Sequence, residues 1–245
     1  MIVDFHSHLL PAIDDGAQSP EVSVQMVNIS KSQNVDILVA TPHYSINNAT
    51  LNVARIKREG AYKAFREAAA AAGAVLPEIR LGFEVRNSID LLLIDDLDAL
   101  CIEGTKTLLL EMPMSKWHTP HFENIEILIH KGYNVLLAHI ERYLDSERLE
   151  DVGRLLDMNL YAQVSASAFM SVQNRGILLD MLENDMFHVL GSDAHNTTSR
   201  SSFMDVACRV ISSQLGDNYI EKISKTSEFL LTAPTLEEEE ESGEI

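Results

Sequence analysis

Seven short apolar segments recur along this chain, and a stretch with helical character follows each of them. Strands that alternate with helices indicate a parallel sheet, whose strands all end on the same side. The sequence therefore predicts an α/β fold. The predicted strands cover residues 2–5, 36–40, 79–83, 107–110, 134–138, 160–164 and 187–190. The predicted helices cover residues 20–33, 51–72, 89–100, 119–132, 146–158, 172–184, 202–215 and 219–231.

Polar residues follow nearly every predicted strand, and their placement distinguishes between two α/β architectures. Only a closed barrel brings all strand ends around one axis, and the active sites of such barrels form at that rim. We therefore predict a single-domain, distorted (β/α)7 barrel of the TIM type over residues 1–233; a doubly wound open sheet is the alternative. The residues that follow the strands are His6, His43, Glu84, Glu111, His139, Ser165 and Asp193.

The composition narrows the class of protein further. The 245 residues are 46% hydrophobic, enough for a sizeable core, and their net charge of −18 argues against nucleic acid as a partner. We predict that the glutamate-rich tail, residues 234–245, is disordered. Two cysteines, Cys101 and Cys208, do not make a disulfide framework. Without an apolar run of membrane-spanning length, we expect a cytoplasmic protein with no membrane insertion.

Two histidines, His6 and His8, stand at the end of the first predicted strand. Side chains two residues apart on an extended segment point to the same face, so both imidazoles can reach one point. A second pair of metal-ligating residues with the same spacing, Asp193 and His195, follows the last predicted strand. An isolated His-x-His is equally well explained by two surface histidines. The matching pair at the far end of the chain favours a shared metal site.

Nine residues with metal-ligating side chains occur at or after the predicted strand ends. One zinc ion takes about four ligands, so this set predicts two or three ions. Mixed nitrogen and oxygen donors favour Mn, Fe or Zn over Ca. Each residue alone has an ordinary explanation, such as the shaping of a turn by an aspartate, but their joint occurrence favours metal. The nine are His6, His8, Asp14, His43, Glu84, Glu111, His139, Asp193 and His195.

Clustered divalent ions at a barrel rim suit the hydrolysis of a phosphoester, or less often of an amide. Such ions lower the pKa of bound water, orient a phosphate and stabilise the attacking and leaving oxygens. Arg142 and Arg200 lie near the predicted rim, and a guanidinium group suits phosphate oxygens; Arg86 is a lesser candidate. Trp117 could offer an apolar wall for an aryl leaving group, with ordinary packing as the alternative.

Six segments of this sequence resemble the PHP (polymerase and histidinol phosphatase) superfamily. They cover residues 4–17, 40–43, 82–85, 110–112, 138–143 and 192–195. More closely, the chain resembles the bacterial capsule and exopolysaccharide protein-tyrosine phosphatases of the CpsB/CapC/YwqE type, to which the opening segment is quite specific. One departure is visible, because the His-Pro-Glu-Arg of the family reads here as His139-Ile140-Glu141-Arg142.

The resemblance implies a three-metal site in which manganese is usually favoured, and arginines matching Arg142 and Arg200 that hold the phosphate. It implies three groups of ligands. They are His6, His8, Glu84 and Asp193; then Asp14, His43 and Glu111; then Glu111, His139 and His195, with Glu84 shared.

Two enzymatic functions remain open at this point. The first is a metal-dependent protein-tyrosine phosphatase that uses a metal-activated hydroxide. The resemblance implies the phosphotyrosine tail of a capsule-synthesis tyrosine kinase as its partner, and we expect varied flanking sequence to be tolerated. The second is a small-molecule phosphatase, such as one for histidinol phosphate. A barrel that merely binds metal has no support, because the ligand set is complete.

Overall fold

The computed structural model describes residues 1–144 and 148–232 of the chain. The predicted disordered tail and the predicted helix start at Ser146 lie outside these residues. The described strands are β1 Val3–Ser7, β2 Ile37–Ala40, β3 His43–Tyr44, β4 Glu78–Leu81, β5 Glu84–Arg86, β6 Thr107–Glu111, β7 Asn134–Leu137, β8 Tyr161–Ser165 and β9 Val189–Gly191. The described α-helices are α1 Pro20–Ser32, α2 Leu51–Ala71, α3 Thr119–His130, α4 Leu149–Leu156, α5 Val172–Glu183, α6 Met204–Leu215 and α7 Asp217–Thr232. The predicted α/β class is confirmed.

All strand pairs in the described residues are parallel, as the sequence predicts. One sheet has the order β1-β2-β4, and the other has the order β3-β5-β6-β7-β8-β9. β2 leads into β3, and β4 leads into β5, after short breaks at residues 41–42 and 82–83. Ser7, at the end of β1, forms a parallel bridge with Ala194 just beyond β9. The parallel sheet therefore curls until its last strand lies beside its first.

Hydrogen bonds continue across both breaks in the strands. The Thr41 N–H donates to the Ser7 carbonyl at 2.9 Å, and the Glu84 N–H donates to the Pro42 carbonyl at 3.0 Å. Pro42 has no N–H to donate to a neighbouring strand, which contributes to the separation of β2 from β3. The two sheets thus form one curled surface, and the strand ends that carry the predicted site lie on one side of it.

Apolar side chains on both faces of the sheet form the core. Leu109 and Leu136 belong to a smaller cluster, whereas Leu108 and Leu137 belong to a larger one, and all four are fully buried. Because alternate residues of a strand point to opposite faces, these strands are buried on both sides. Such burial is typical of a parallel sheet covered by helices.

The helix ends follow their predicted signals. Ser19 caps α1 and accepts a hydrogen bond from the Val22 N–H at 3.4 Å. Gly73 and Gly132 follow α2 and α3 with φ of +62° and +83°, a conformation that glycine adopts without strain. Among the described helices, none has both the length and the apolar content that crossing a membrane would require.

The predicted helix over 89–100 is wrong. This segment forms two short 3₁₀ turns, Leu91–Leu93 and Asp98–Leu100, joined by an extended Ile94. Its buried apolar residues recur every three positions, which matches a 3₁₀ repeat better than the 3.6 residues of an α-helix. The aspartates between them are also poor helix formers. These buried residues are Leu91, Ile94, Leu97 and Leu100.

Candidate metal centre

Four buried side chains converge at the carboxyl ends of the strands. His6 Nε2 lies 3.1 Å from His8 Nε2, and both nitrogens lie 3.2 Å from Glu84 Oε2. Asp193 Oδ1 lies 3.5 Å from His6 Nε2 and 3.3 Å from His8 Nε2. Two imidazole nitrogens and two carboxylate oxygens thus face one point, which is the donor set of a transition-metal site.

A β-bulge in β1 lies at the first of these histidines. Asp4 pairs with Leu38 of β2, but the next pair joins Ser7 to Ala40, so three steps along β1 match two along β2. Bulges re-aim side chains and are frequent next to active sites. This one contains His6, so the side chains of β1 do not alternate regularly between the two faces of the sheet, as the spacing of His6 and His8 had suggested.

Glu84 supplies the clearest sign that a cation fits here. Its Oε2 atom lies 2.8 Å from His43 Nδ1 and 3.2 Å from both His6 Nε2 and His8 Nε2. Nevertheless, this buried oxygen accepts no hydrogen bond of proper geometry from any described residue. A buried carboxylate oxygen without a hydrogen bond is costly. A divalent cation among these atoms would satisfy it.

A second, more exposed group surrounds the other side of His8. The ligating atoms of His8, Asp15, His43 and His195 all lie within 4.8 Å of one another. Asp15 Oδ1 lies 3.4 Å from His43 Nε2 and 3.3 Å from His195 Nε2. Asp15 is a candidate ligand that the sequence did not single out, because its only signal is its position in the acidic turn after β1.

Asp14 lies one step behind the cluster. Its carboxylate accepts hydrogen bonds from His8 Nδ1 at 2.8 Å and from the backbone N–H groups of His43 and Gly16 at 3.1 and 2.9 Å. Burial would raise the pKa of Asp14, but the bond from His8 outweighs it and lowers the pKa to about 2. A carboxylate in this position orients the imidazole and leaves its Nε2 free for a metal.

A third group joins the first residues of β3 and β5 to the last residue of β6. The ligating atoms of His43, Glu84 and Glu111 lie within 4.8 Å of one another. His139, beyond β7, contributes its Nε2 at 2.9 Å from Glu84 Oε1 and 3.6 Å from Glu111 Oε1. The atoms of Glu84 therefore lie in both the first and the third group.

The place of His195 differs from the grouping that the resemblance implies. That grouping puts His195 with Glu111 and His139. In the structure its ring lies 3.8 Å from the ring of His8, between centroids, because the chain after β9 runs beside β1. The His195 Nδ1 contacts the Asp193 carbonyl at 2.9 Å, which leaves Nε2 directed at the cluster.

Opposite charges shape the protonation of the cluster. Burial would raise the pKa of Glu84 and of Asp193, but the charge of His6 and further histidine contacts hold both pKa values well below their usual range. Burial would lower the pKa of His139, yet hydrogen bonds to Glu111 and Glu84 raise it to about 9. Burial and the nearby His8 lower the pKa of His195 to about 4. Ionised carboxylates and a neutral His195 are the forms that bind metal.

Two residues of this centre have a strained backbone. His139 and Asp193 adopt φ of +34° and +51°, a left-handed region that residues with a Cβ rarely occupy. Gly191, two residues before Asp193, packs so closely on β1 that a Cβ there would lie 2.6 Å from the Cβ of His6. The chain that leads into Asp193 is thus packed tightly against β1.

The two predicted arginines meet at one carboxylate oxygen. Arg142 Nη2 contacts Asp193 Oδ2, and Arg200 Nη2 lies 3.1 Å from the same atom. Arg200 Nη1 also lies 3.3 Å from Asp15 Oδ2. The arginine side chains are 38% and 41% exposed, so both charges border the cluster and remain accessible.

Trp117 is not a wall of the site. It is 5% exposed, its indole N–H donates to the Pro113 carbonyl at 2.7 Å, and its ring packs edge-on against Phe122 and Tyr143. The structure therefore supports the alternative, in which Trp117 packs among other apolar side chains. A lone tryptophan in a loop carries no sequence signal that separates these two roles.

A curled parallel sheet that gathers imidazoles and carboxylates at its strand ends is the architecture of α/β metal-binding enzymes. The chain belongs to the family described as capsular polysaccharide synthesis, CpsB/CapC, which matches residues 2–230. The resemblance drawn from the sequence motifs is therefore confirmed.

Named relatives cover nearly the whole chain. It is 28% identical to the tyrosine-protein phosphatase YwqE of Bacillus subtilis (strain 168), over 96% of this chain and 93% of that protein. It is 27% identical to the tyrosine-protein phosphatase CpsB of Streptococcus pneumoniae, over 88% and 91%.

Solved structures share the fold. One from a study of YwqE and CpsB, described as unique metal-dependent tyrosine phosphatases, matches with a TM-score of 0.81 and 24% identity over 96% of each chain. A TatD family hydrolase from Entamoeba histolytica matches with a TM-score of 0.53 and 10% identity over 96% of this chain and 98% of that one. At these identities both matches concern the fold alone.

Proposed function

We propose that this protein is a metal-dependent protein-tyrosine phosphatase. The observation that carries the proposal is the convergence of five imidazoles and several carboxylates at one set of strand ends, with two arginines beside them. Membership of the CpsB/CapC family and relatives named as tyrosine-protein phosphatases support it. We further propose that the curled sheet is a distorted (β/α)7 barrel in which β2–β3 and β4–β5 each occupy one strand position.

The residues that would hold two or three divalent ions are eight of the predicted nine, with Asp15 added. The ninth, Asp14, would act through His8, whose Nδ1 it accepts a hydrogen bond from. Mn is the expected metal, with Fe or Zn as alternatives, because the donors mix nitrogen and oxygen. Bound divalent ions supply an activated water molecule and neutralise phosphate charge. The low pKa values of Glu84 and Asp193 keep these carboxylates ionised across the neutral range.

Arg142 and Arg200 would hold the phosphate. Two guanidinium groups that meet at Asp193 Oδ2 lie close together, and a dianionic phosphate between them would relieve their mutual repulsion. Asp193 orients both before the substrate arrives, so less side-chain freedom is lost on binding. Ile140, at the position where the family has a proline, is fully buried.

The proposed substrate is phosphotyrosine in a flexible tail of a tyrosine kinase of capsule synthesis, met in the cytoplasm. The deciding experiment compares specificity constants of the metal-loaded protein for a phosphotyrosine peptide, a phosphoserine peptide and histidinol phosphate. We expect the phosphotyrosine peptide to be preferred. A much higher specificity constant for histidinol phosphate would replace this proposal with a small-molecule phosphatase.

A further inference from the structure

A cleft of about 410 Å³ opens beside the candidate metal centre, and neither Arg142 nor Arg200 lines it. Asp14, His43 and Glu111 line its inner end, so the cleft and the centre are continuous. Cavities of roughly 300–1,000 Å³ accommodate small ligands, so one substrate side chain fits here. The remaining lining residues are Ile13, Tyr44, Ser45, Asn48, Ala49, Ala54, Lys57, Phe83 and Arg86.

Two cations line this cleft in a strongly acidic protein. Lys57 lies one helical turn after Ala54 on α2, and i and i+3 residues share a helix face. Arg86 lies two residues after Glu84 on β5, and i and i+2 residues share a strand face. Both side chains are exposed, and neither forms an ion pair with any described residue.

A buried hydroxyl in the same wall also lacks a partner. Tyr44 is 4% exposed, and among the described residues its OH group has no hydrogen-bond partner. A buried hydroxyl normally finds one, because leaving it unpaired costs free energy. Asp14 at the inner end is already paired with His8, and a metal ion would neutralise Glu111, so the charge left in the cleft would be that of Lys57 and Arg86.

We propose that this cleft binds an acidic side chain of the substrate next to the phosphotyrosine, with Lys57 and Arg86 as its cationic contacts and Tyr44 as part of its wall. The inference rests on the proposed phosphatase function and adds a specificity determinant to it. It also modifies the expectation that flanking sequence is of little consequence. Acidic residues beside the phosphotyrosine lower KM, while kcat is set at the metal centre.

The test uses the metal-loaded protein at low salt and two phosphotyrosine peptides that differ only in their flanks, three glutamates or three glutamines on each side. We expect kcat/KM to favour the acidic peptide by roughly three- to tenfold, through KM, with the preference shrinking at high salt. The double variant Lys57→Met/Arg86→Met removes the preference, and Lys57→Glu/Arg86→Glu reverses it. Equal kcat/KM for the two peptides with the unchanged protein overturns the inference.

The matched control is Lys63→Met/Arg66→Met, which removes the same number of charges from α2 at positions outside the cleft. It should retain the full preference for the acidic peptide. A preference that survives in Lys57→Met/Arg86→Met, or that disappears equally in the control, assigns it to overall charge and overturns the inference. If the unchanged protein hydrolyses neither peptide, the phosphatase function itself fails, which is a distinct result.

Discussion

The two halves of the candidate centre differ in how far solvent reaches them. On the β1 and β9 side, the His6 and His8 side chains are 0% exposed and Asp193 is 5% exposed. On the β3 and β6 side, His43 is 44% exposed and Glu111 is 20% exposed. The buried half fixes geometry, and the open half borders the cleft. A phosphatase for protein substrates needs both, because its ions must be held rigidly while a peptide enters.

Removing the metal ions should have the largest effect, because both halves of the candidate centre would lose their ligand. Chelation should abolish phosphatase activity, and Mn²⁺ should restore it most readily, with two or three ions per chain by metal analysis. Loss of the ions leaves the repulsion between the carboxylates uncompensated, so the melting temperature should fall. A metal ion present at 100-fold its Kd adds about 2.7 kcal/mol to the free energy of unfolding. One ion or none in the fully active protein would contradict this expectation.

Single substitutions compare the halves directly. His6→Ala or Asp193→Ala should lower kcat/KM by roughly 1,000-fold or more, because neither position has a substitute ligand. His43→Ala should cost less, about 10- to 100-fold, since solvent can take its place. Circular dichroism should show folded protein in all three cases. His130→Ala, on the exposed end of α3, is the control; equal losses at His6 and His43 would remove the distinction.

The arginines belong to neither half, and their substitution separates phosphate binding from metal binding. Arg142→Ala or Arg200→Ala should lower turnover by about 100-fold at unchanged metal content. Lysine should rescue poorly, because its point charge lacks the planar fork of arginine. Metal analysis of each variant decides the point, and loss of ions from the arginine variants would assign these residues to the centre itself.

Glycine positions test how tightly the buried half is packed. Gly191→Ala should destabilise the protein by about 1–3 kcal/mol, because the new methyl group overlaps the Cβ of His6. Gly60→Ala is the control in α2, where no atom lies within 4 Å of the added methyl group, and it should stabilise by about 0.5–1 kcal/mol. Urea unfolding measures both, and equal effects would show that β9 does not press on β1.

The sequence predicts those features that local pattern determines. A polar residue after an apolar run marks a strand end, so His6, Glu84 and Asp193 could be placed beside one another from the sequence. Tertiary geometry decides the remainder. Asp14 and Asp15 are adjacent and chemically alike, and only the folded turn shows which carboxylate contacts His8 Nδ1 and which joins His43 and His195.

Periodicity fails where the backbone departs from regular geometry. The 89–100 segment reads as a helix because it is rich in leucine, although its buried positions repeat every three residues. The bulge at His6 and the positive φ of His139 and Asp193 are equally invisible in the sequence, since nothing local requires them. These irregular points lie at the candidate centre, where function rather than propensity determines the backbone.

Asp193 faces two kinds of charge with its two oxygens, Oδ1 towards the histidines and Oδ2 towards the arginines. A ligand that draws Arg142 and Arg200 away from Oδ2 increases the negative charge that Asp193 offers to a metal ion at Oδ1. Thermodynamic reciprocity then requires that divalent ions and inorganic phosphate alter each other's affinity by the same factor. We therefore expect product release and metal retention to be coupled in this protein.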